Sequence, residues 1–288
     1  MKSILNIDGF SIKKTLNIKG NLIDLSNPII MGILNLTPDS FYDGDLFNDK
    51  KKALLKVEKM IDEGADIIDV GGCSTRPGAE IVSEEEEWNR INDIIQSIRK
   101  SFPDIIISID TFRSTIAKKS FDIGADMIND VSGGSFDKKM FPVVGELGLP
   151  YILMHSRGNP KSMKNLTNYD NILENITLYF SEKIELLQLN GVKDIIIDPG
   201  FGFAKTFDQN LTILNNLNYF TILDLPILVG ISRKSFVQKK FNVSIENSLN
   251  ASVQLNKTAL ENHASILRVH DVKETKIMLE EFIINSKE

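Results

Sequence analysis

The sequence predicts an α/β fold, namely a (β/α)8 TIM barrel with an N-terminal β-hairpin extension. Two observations predict it. Eight short, apolar, β-branched runs recur along the 288-residue chain, and each is followed by a polar residue. Helical patterns separate these runs, as expected for successive βαβ units. Continuous apolar runs are typical of parallel strands buried on both faces. In a barrel built from such strands, functional residues lie at the carboxyl ends of the strands.

The polar ends of the predicted strands are therefore the expected positions of functional groups. An open, doubly wound sheet is the competing fold, but it typically has five or six strands and a glycine-rich first turn. The sequence shows neither feature. The strand ends lie at Asn35, Asp69, Asp110, Asn129, His155, Asp198, residues 232–234 and residues 268–270. Helices are predicted near residues 50–63, 84–100, 113–123, 137–147, 170–190, 208–221, 246–262 and 272–284.

The segment before the first of these strands has a different pattern. In residues 1–27, short apolar runs alternate with the turn signals Asp8-Gly9 and Lys19-Gly20-Asn21. This pattern favours one or two β-hairpins, which we expect to cap the bottom of the barrel. Residues 28–288 are expected to form a single domain, because a barrel of this kind needs about 250 residues.

Composition excludes several classes of protein. A net charge of −6 argues against general nucleic-acid binding. No apolar stretch is long enough to span a membrane, so neither nucleic acid nor membrane is expected as a partner. The single cysteine, Cys73, cannot form an internal disulfide, which favours a cytoplasmic location.

The loops after the first two predicted strands carry polar side chains. Asn35 and Asp39 follow the first strand, and hard oxygen donors of this kind suit Mg²⁺. Their neighbours are turn formers, so a simple turn remains an alternative. Residues 71–78 combine glycines, hydroxyl groups and Arg76, which together can approach and grip an anionic oxygen. A flexible surface loop is the alternative there.

Three polar residues end strands from different parts of the chain. Asp110, Asn129 and Asp198 can converge at the mouth of a closed barrel. Two carboxylates and an amide suit a heterocycle rich in N–H donors, such as an aminopyrimidinone. Capping of the following helix is the alternative, above all for Asp110. A metal site at these residues would lack histidine support.

Basic residues follow the last two predicted strands. Barrels often bind phosphate with the loops after strands seven and eight. Arg268 and His270 share a face of an extended segment and, with Arg76, are candidates for holding a diphosphate. Ion pairing with nearby acids such as Asp271 is the alternative.

Seven segments, in order, resemble the dihydropteroate synthase family. Together they span the chain from about residue 28 to its end, and this combination is far more specific than any one segment. Departures are small, since Cys73 and residues 42–45 vary loop positions without removing a catalytic group. The matching segments are residues 32–41, 69–78, 109–111, 128–130, 198–203, 232–236 and 268–271.

The resemblance implies condensation of 6-hydroxymethyl-7,8-dihydropterin diphosphate with 4-aminobenzoate, giving 7,8-dihydropteroate and diphosphate by an SN1-like substitution. Magnesium is the implied cofactor, small molecules are the implied partners, and the family is usually homodimeric and is the target of sulfonamides. A pterin-dependent methyltransferase and a catalytically silent pterin-binding barrel are the alternatives. Diphosphate release on mixing both substrates separates these functions.

The resemblance also implies roles for individual residues. Catalysis would fall to Asp110, Asp198, Lys234, Arg268 and His270. The pterin would lie against Asp110, Asn129, Asp198 and Lys234, with Met154 packing beside it. The diphosphate would bind Arg76, Arg268, His270 and Thr75, and Asn35 would contact Mg²⁺. The 4-aminobenzoate would be enclosed by Ser235, Arg233, Phe203, Pro77 and Phe41, with Lys205 and Gly202 at the margin.

Overall fold

A computed structural model describes residues 13–36, 46–74, 79–244 and 247–286. The strands are β1 (Thr15–Ile18), β2 (Asn21–Asp24), β3 (Ile29–Asn35), β4 (Ile67–Gly71), β5 (Ile106–Asp110), β6 (Met127–Asp130), β7 (Tyr151–Met154), β8 (Ile195–Asp198), β9 (Leu228–Val229) and β10 (Ile266–Val269). The helices are α1 (Leu46–Asp62), α2 (Glu84–Ser101), α3 (Ser114–Asp122), α4 (Met140–Leu147), α5 (Ile172–Leu189), α6 (Phe207–Asn215), α7 (Ser235–Phe241), α8 (Leu249–Glu261) and α9 (Val272–Asn285), with 3₁₀ turns at Met163–Asn165 and Leu217–Leu223.

Strands β3 to β10 form one parallel sheet in the order β8-β7-β6-β5-β4-β3-β10-β9. The sheet closes where Ile197 of β8 forms a parallel bridge with Ile227, just before β9. At this seam the Ile197 amide donates a hydrogen bond of 3.0 Å to the Pro226 carbonyl. Helices follow the strands and cover the outside of the sheet, so the predicted eight-stranded barrel is confirmed. No helix in the described part of the chain has the length and apolar character needed to cross a membrane.

The barrel interior changes character from bottom to top. Alternate residues of each strand face inward, and the lower inward positions are all apolar and form one buried cluster. The upper inward positions, one or two steps further along the same strands, are mostly polar. The strand residues of the lower cluster are Ile29, Met31, Ile67, Met127, Ile152, Ile196, Leu228 and Ile266.

The N-terminal hairpin closes the bottom of the barrel. β1 and β2 pair antiparallel, and Leu16 and Leu25 are buried in the lower cluster. Lys19, at the turn, adopts a left-handed φ of 51° and its ammonium lies 2.6 Å from Asp126. Lys13 makes a similar 2.7 Å contact with Asp194. The predicted hairpin extension is thus present, and the turn signal at residues 8–9 lies outside the described residues.

The helix prediction near residues 246–262 is confirmed by α8, but the seventh βα unit contains a further short helix, and the helix predicted in the sixth unit was too long. Helix α7, at Ser235–Phe241, was not predicted because seven residues are too few to show a helical period. The predicted helix at 208–221 ends at Asn215, and the chain continues as a 3₁₀ turn to Leu223. Asp224 follows that turn with a left-handed φ of 54°, two residues before Pro226 begins the barrel seam.

We expect the hairpin to contribute to stability through Leu16. The Leu16→Ala substitution should lower the free energy of unfolding by about 3 kcal/mol, because it leaves a cavity under a fully buried side chain. Leu22 lies on the same hairpin but is 70% exposed, so Leu22→Ala should change stability by less than about 0.5 kcal/mol. Urea denaturation of both variants measures the difference. Equal losses would show that the hairpin does not close the core.

Candidate active site

The strand register brings the polar residues of the upper interior side by side. Asp69 of β4 is opposite Ser108 of β5, and Asp110 of β5 is opposite Asn129 of β6. Met154 of β7 is opposite Asp198 of β8. Most of these side chains are buried, since all lie on inward positions near the carboxyl ends of the strands. The structure therefore gathers these residues at the upper, polar end of the barrel interior, here called the cavity.

Arg268 of β10 joins two carboxylates across this cavity. Its Nε donates to Asp69 at 2.7 Å and its Nη2 donates to Asp110 at 2.9 Å. A buried carboxylate without a partner is costly, and charge-assisted hydrogen bonds offset that cost. Helix capping, the alternative for Asp110, is absent. Helix α3 begins after Arg113, whose side chain makes no capping hydrogen bond, and the Ser114 amide in the first turn donates to Asp137 rather than to Asp110.

Two residues of the site were missed by sequence reasoning. Asp69 is fully buried and accepts hydrogen bonds from Ser108 Oγ at 2.6 Å and from Asn129 Nδ2 at 3.0 Å, besides that from Arg268. The sequence identified Asp69 as a strand end but gave it no role. A signal existed in the two-residue period of β4, which places Asp69 on the same face as Ile67. Ser108 lies inside an apolar run and carried no comparable signal.

Lys234 faces the cavity from the loop after β9, and Asp198 faces it from the end of β8. Lys234 Nζ donates to the Phe201 carbonyl at 2.5 Å and lies 4.9 Å from the centre of the Phe203 ring. Burial raises the pKa of Asp198 and lowers the pKa of Lys234 to about 8, and the attraction between the two groups opposes both shifts. A ligand that donates to Asp198 would therefore relieve part of its desolvation cost.

The loop after β8 is held by a buried lysine. Lys205 Nζ donates to the carbonyls of Gly200 and Phe203, at 2.8 and 2.9 Å, and contacts His155 Nδ1 at 3.0 Å. Burial, followed by the charge of Lys205, lowers the pKa of His155 well below its ordinary value, and burial also lowers the pKa of Lys205. A neutral imidazole therefore faces the Lys205 nitrogen. At Gly200, whose φ is 71°, a Cβ atom would lie 2.1 Å from the His155 carbonyl oxygen. Lys205, which the family resemblance placed at the margin of the 4-aminobenzoate site, thus shapes the loop that carries Phe203.

The loops after β9 and β10 are tied to each other. Arg233 Nη2 donates to Asp271 at 2.5 Å, although the arginine side chain is 46% exposed. His270 contacts Ser232 Oγ through its backbone amide at 3.3 Å and through Nδ1 at 3.2 Å. Asp271 is therefore paired with Arg233 rather than with Arg268. Ser235 is exposed at the start of α7.

Asn35 and Asp110 approach each other over Gly71. A Cβ atom at Gly71 would lie 3.6 Å from both Asn35 Oδ1 and Asp110 Oδ2. Among the described residues, no group of three or more His, Cys, Asp or Glu side chains could hold a metal ion. One amide oxygen fits a Mg²⁺ ion that takes its other ligands from water and a phosphate. The predicted site residues outside the described part of the chain are Phe41, Thr75, Arg76 and Pro77.

Comparison with known proteins gives the family. Residues 31–270 match the family model described as pterin binding enzyme. A dihydropteroate synthase of Clostridium beijerinckii is 47% identical over 248 residues, covering 85% of this chain and 89% of that protein. The Yersinia pestis dihydropteroate synthase, crystallised with a sulfonamide drug complex, superposes with a TM-score of 0.90 at 37% identity, covering 95% of this chain and all of that one. The Xanthomonas albilineans enzyme in complex with 7,8-dihydropteroate gives a TM-score of 0.85 at 30% identity, covering 94% and 98%.

The chain forms a closed parallel barrel with paired acids and cations at its mouth, and most of it matches the family model for pterin binding enzymes. These features define the class of the protein as a pterin-binding barrel enzyme. Identity above 40% over most of both chains narrows the class further. The chain belongs to the dihydropteroate synthase family, and the resemblance found in the sequence is confirmed.

Asp110 should make stability depend on pH. Burial raises its pKa to about 7, against about 3.9 in an unfolded chain. Between these values the folded protein holds a proton that the unfolded chain releases, so the free energy of unfolding falls as pH rises. Asp110→Asn removes this titration. The free energy of unfolding of the variant minus that of wild type should therefore increase from about pH 4 to about pH 7, by at most about 1.4 kcal/mol per pH unit.

Urea denaturation across this pH range measures the difference, and Asp104→Asn, at an exposed position, is the control. A constant difference between Asp110→Asn and wild type would contradict the shift. The absolute cost of the substitution is a separate quantity, because it also removes a partner of Arg268.

Proposed function

We propose that this protein condenses 6-hydroxymethyl-7,8-dihydropterin diphosphate with 4-aminobenzoate, yielding 7,8-dihydropteroate and diphosphate in folate biosynthesis. One observation carries the proposal: Asp110 and Asp198 meet Lys234 and Arg268 at a single cavity at the barrel mouth. Acids suit the donor-rich heterocycle, and cations suit the departing anion. The membership of the chain in the dihydropteroate synthase family supports the same reaction.

The pterin would bind in the buried part of the cavity. Asp110, Asn129 and Asp198 supply hydrogen-bond acceptors, and Lys234 supplies a donor and a positive charge. Met154 is 2% exposed and provides an apolar wall for the ring. Since the interior below is filled by the apolar lower cluster, the ring would lie at the level of the strand ends.

The diphosphate would lie nearer the outer rim. Arg268 Nη1 forms no hydrogen bond within the described residues, so this edge can donate to a phosphate oxygen while Nε and Nη2 hold the carboxylates. We propose that His270, Arg76 and Thr75 complete the anion site. Asn35 would help to hold Mg²⁺, which when bound neutralises charge on the departing diphosphate.

The 4-aminobenzoate would approach from the loop side of the cavity. Ser235 and Arg233 are exposed there, and Phe203 is oriented by the carbonyl contacts of Lys205. We propose that Phe41 and Pro77 close the opposite side. In this arrangement the arylamine would lie over the pterin methylene, with its carboxylate toward solvent-accessible donors.

The charge distribution favours an SN1-like substitution. Breaking the C–O bond leaves positive charge on the pterin methylene and ring, and the carboxylates of Asp110 and Asp198 stabilise it where it develops. The bond electrons leave with the diphosphate, whose charge is neutralised by Arg268 and its neighbours. The weakly nucleophilic arylamine then attacks the cation and loses a proton. No protein side chain forms a covalent bond.

We propose further that the protein is a homodimer and is cytoplasmic, as the family resemblance and the single cysteine suggest. Light scattering that gives the 32.3 kDa mass of one chain at all concentrations would contradict the dimer.

Diphosphate release tests the reaction. Mixing the protein with Mg²⁺ and both substrates should release one diphosphate per dihydropteroate formed, as measured by a coupled phosphate assay. Asp198→Asn should reduce turnover by at least about 100-fold, since it removes a charge that stabilises the cation. Methyl transfer from a folate without diphosphate release would favour the methyltransferase. Pterin binding without any turnover would favour the silent barrel.

Isotope scrambling tests the order of bond breaking. A pterin diphosphate carries ¹⁸O at the oxygen that joins the methylene carbon to phosphorus. It is incubated with the protein and Mg²⁺ but without 4-aminobenzoate. Reversible C–O cleavage should move label into non-bridging positions, as detected by ³¹P NMR. A covalent enzyme–pterin adduct trapped under the same conditions would refute the mechanism.

A further inference from the structure

Asp69 is a fully buried carboxylate directly beneath the proposed pterin site, and the reaction described above gives it no role. Its Oδ1 accepts from Ser108 and its Oδ2 accepts from both Asn129 and Arg268. Three donors from three other strands therefore converge on one side chain. Such a complete set of contacts restrains each of the three donors as well as the acid itself.

The contact with Asn129 has a chemical consequence. A carboxylate that is paired with arginine offers acceptors only, so the amide of Asn129 must turn its NH₂ group toward Asp69. The carbonyl Oδ1 then points the other way. This oxygen accepts no hydrogen bond from a described residue, and it is not fully enclosed by the protein. It is therefore open to the cavity.

Without Asp69 this orientation would not be fixed. The terminal torsion of asparagine is broad and roughly two-fold, so either its oxygen or its nitrogen can face a ligand. Asp110 and Asp198 already present carboxylate oxygens to the same cavity. With Asn129 held as found, three sides of the cavity offer acceptors, and the matching ligand is one that offers donors.

We propose that Asp69 is a positioning residue that sets the donor and acceptor pattern of the pterin pocket by fixing the amide of Asn129, and thereby selects a 2-amino-4-oxopteridine over a 2,4-dioxopteridine. This inference rests on the proposed function, because it assumes that the pterin binds at Asp110, Asn129 and Asp198. It adds specificity carried by a residue that need not touch the ligand.

Binding of pterin and of lumazine, its 2,4-dioxo analogue, tests the proposal. Both dissociation constants are measured by isothermal titration calorimetry on the intact protein. Wild-type protein should prefer pterin by on the order of 100-fold, since a carbonyl facing the acceptors leaves buried polar groups unpaired. In Asp69→Ala no acceptor remains at position 69, so the Asn129 amide is free to turn. The preference should then fall at least tenfold.

A rescue variant separates positioning from general damage. In the double variant Asp69→Ala/Asn129→Asp, position 129 presents an acceptor to the cavity without any partner at position 69, and the number of charges is unchanged. Its preference for pterin should return to within about threefold of wild type. Ser108→Ala removes one restraint on Asp69 without changing charge, and it should lower the preference less than Asp69→Ala does.

Asp66→Ala is the matched control for loss of an acid. Asp66 immediately precedes the same strand, at the bottom of the barrel, and accepts from the Ile30 amide at 2.8 Å, so its removal should leave the pterin preference unchanged. Equal weakening of both ligands in Asp69→Ala, or no rescue in the double variant, would overturn the inference alone. Wild-type protein that binds neither compound would overturn the proposed function together with it.

Discussion

The bridge from Arg268 to Asp69 and Asp110 is the interaction on which the rest of the site depends. It connects β10 to β4 and β5 across the barrel mouth. Buried charges destabilise a fold unless they are paired and hydrogen-bonded. One guanidinium satisfies two carboxylates here, which permits an acidic wall inside a barrel whose floor is entirely apolar. The floor and the hairpin beneath it supply the hydrophobic stabilisation that this polar layer does not.

Pairing does not remove the electrostatic cost of the cavity. Burial still raises the pKa values of Asp110 and Asp198 and lowers that of Lys234. The protein thus holds charges in positions that water would otherwise stabilise better. A ligand with N–H donors on one side and an anionic group on the other complements this field. The same preorganised charges can stabilise a cation that forms during the reaction.

The loops around the mouth are held by side chains that do not need to touch a substrate. Lys205 and His155 fix the loop after β8, and Ser232 connects the two loops that carry Arg233 and His270. These contacts use backbone carbonyls and a hydroxyl, and the partly exposed Arg233–Asp271 ion pair adds little to them. A rigid scaffold of this kind positions functional loops on a barrel that is otherwise common to many activities.

The sequence by itself determined the eight strands, their polar ends and the family, because a buried strand and a loop motif are each encoded within a few consecutive residues. The tertiary structure decided the rest. Asp69 and Arg268 are 199 residues apart, and nothing local in either segment identifies the other as its partner. Lys205 reaches His155 for the same reason, and the barrel seam at Ile227 likewise pairs residues from separate units. Such pairings exist only when the barrel closes, since closure is what brings the ends of distant strands within hydrogen-bonding distance.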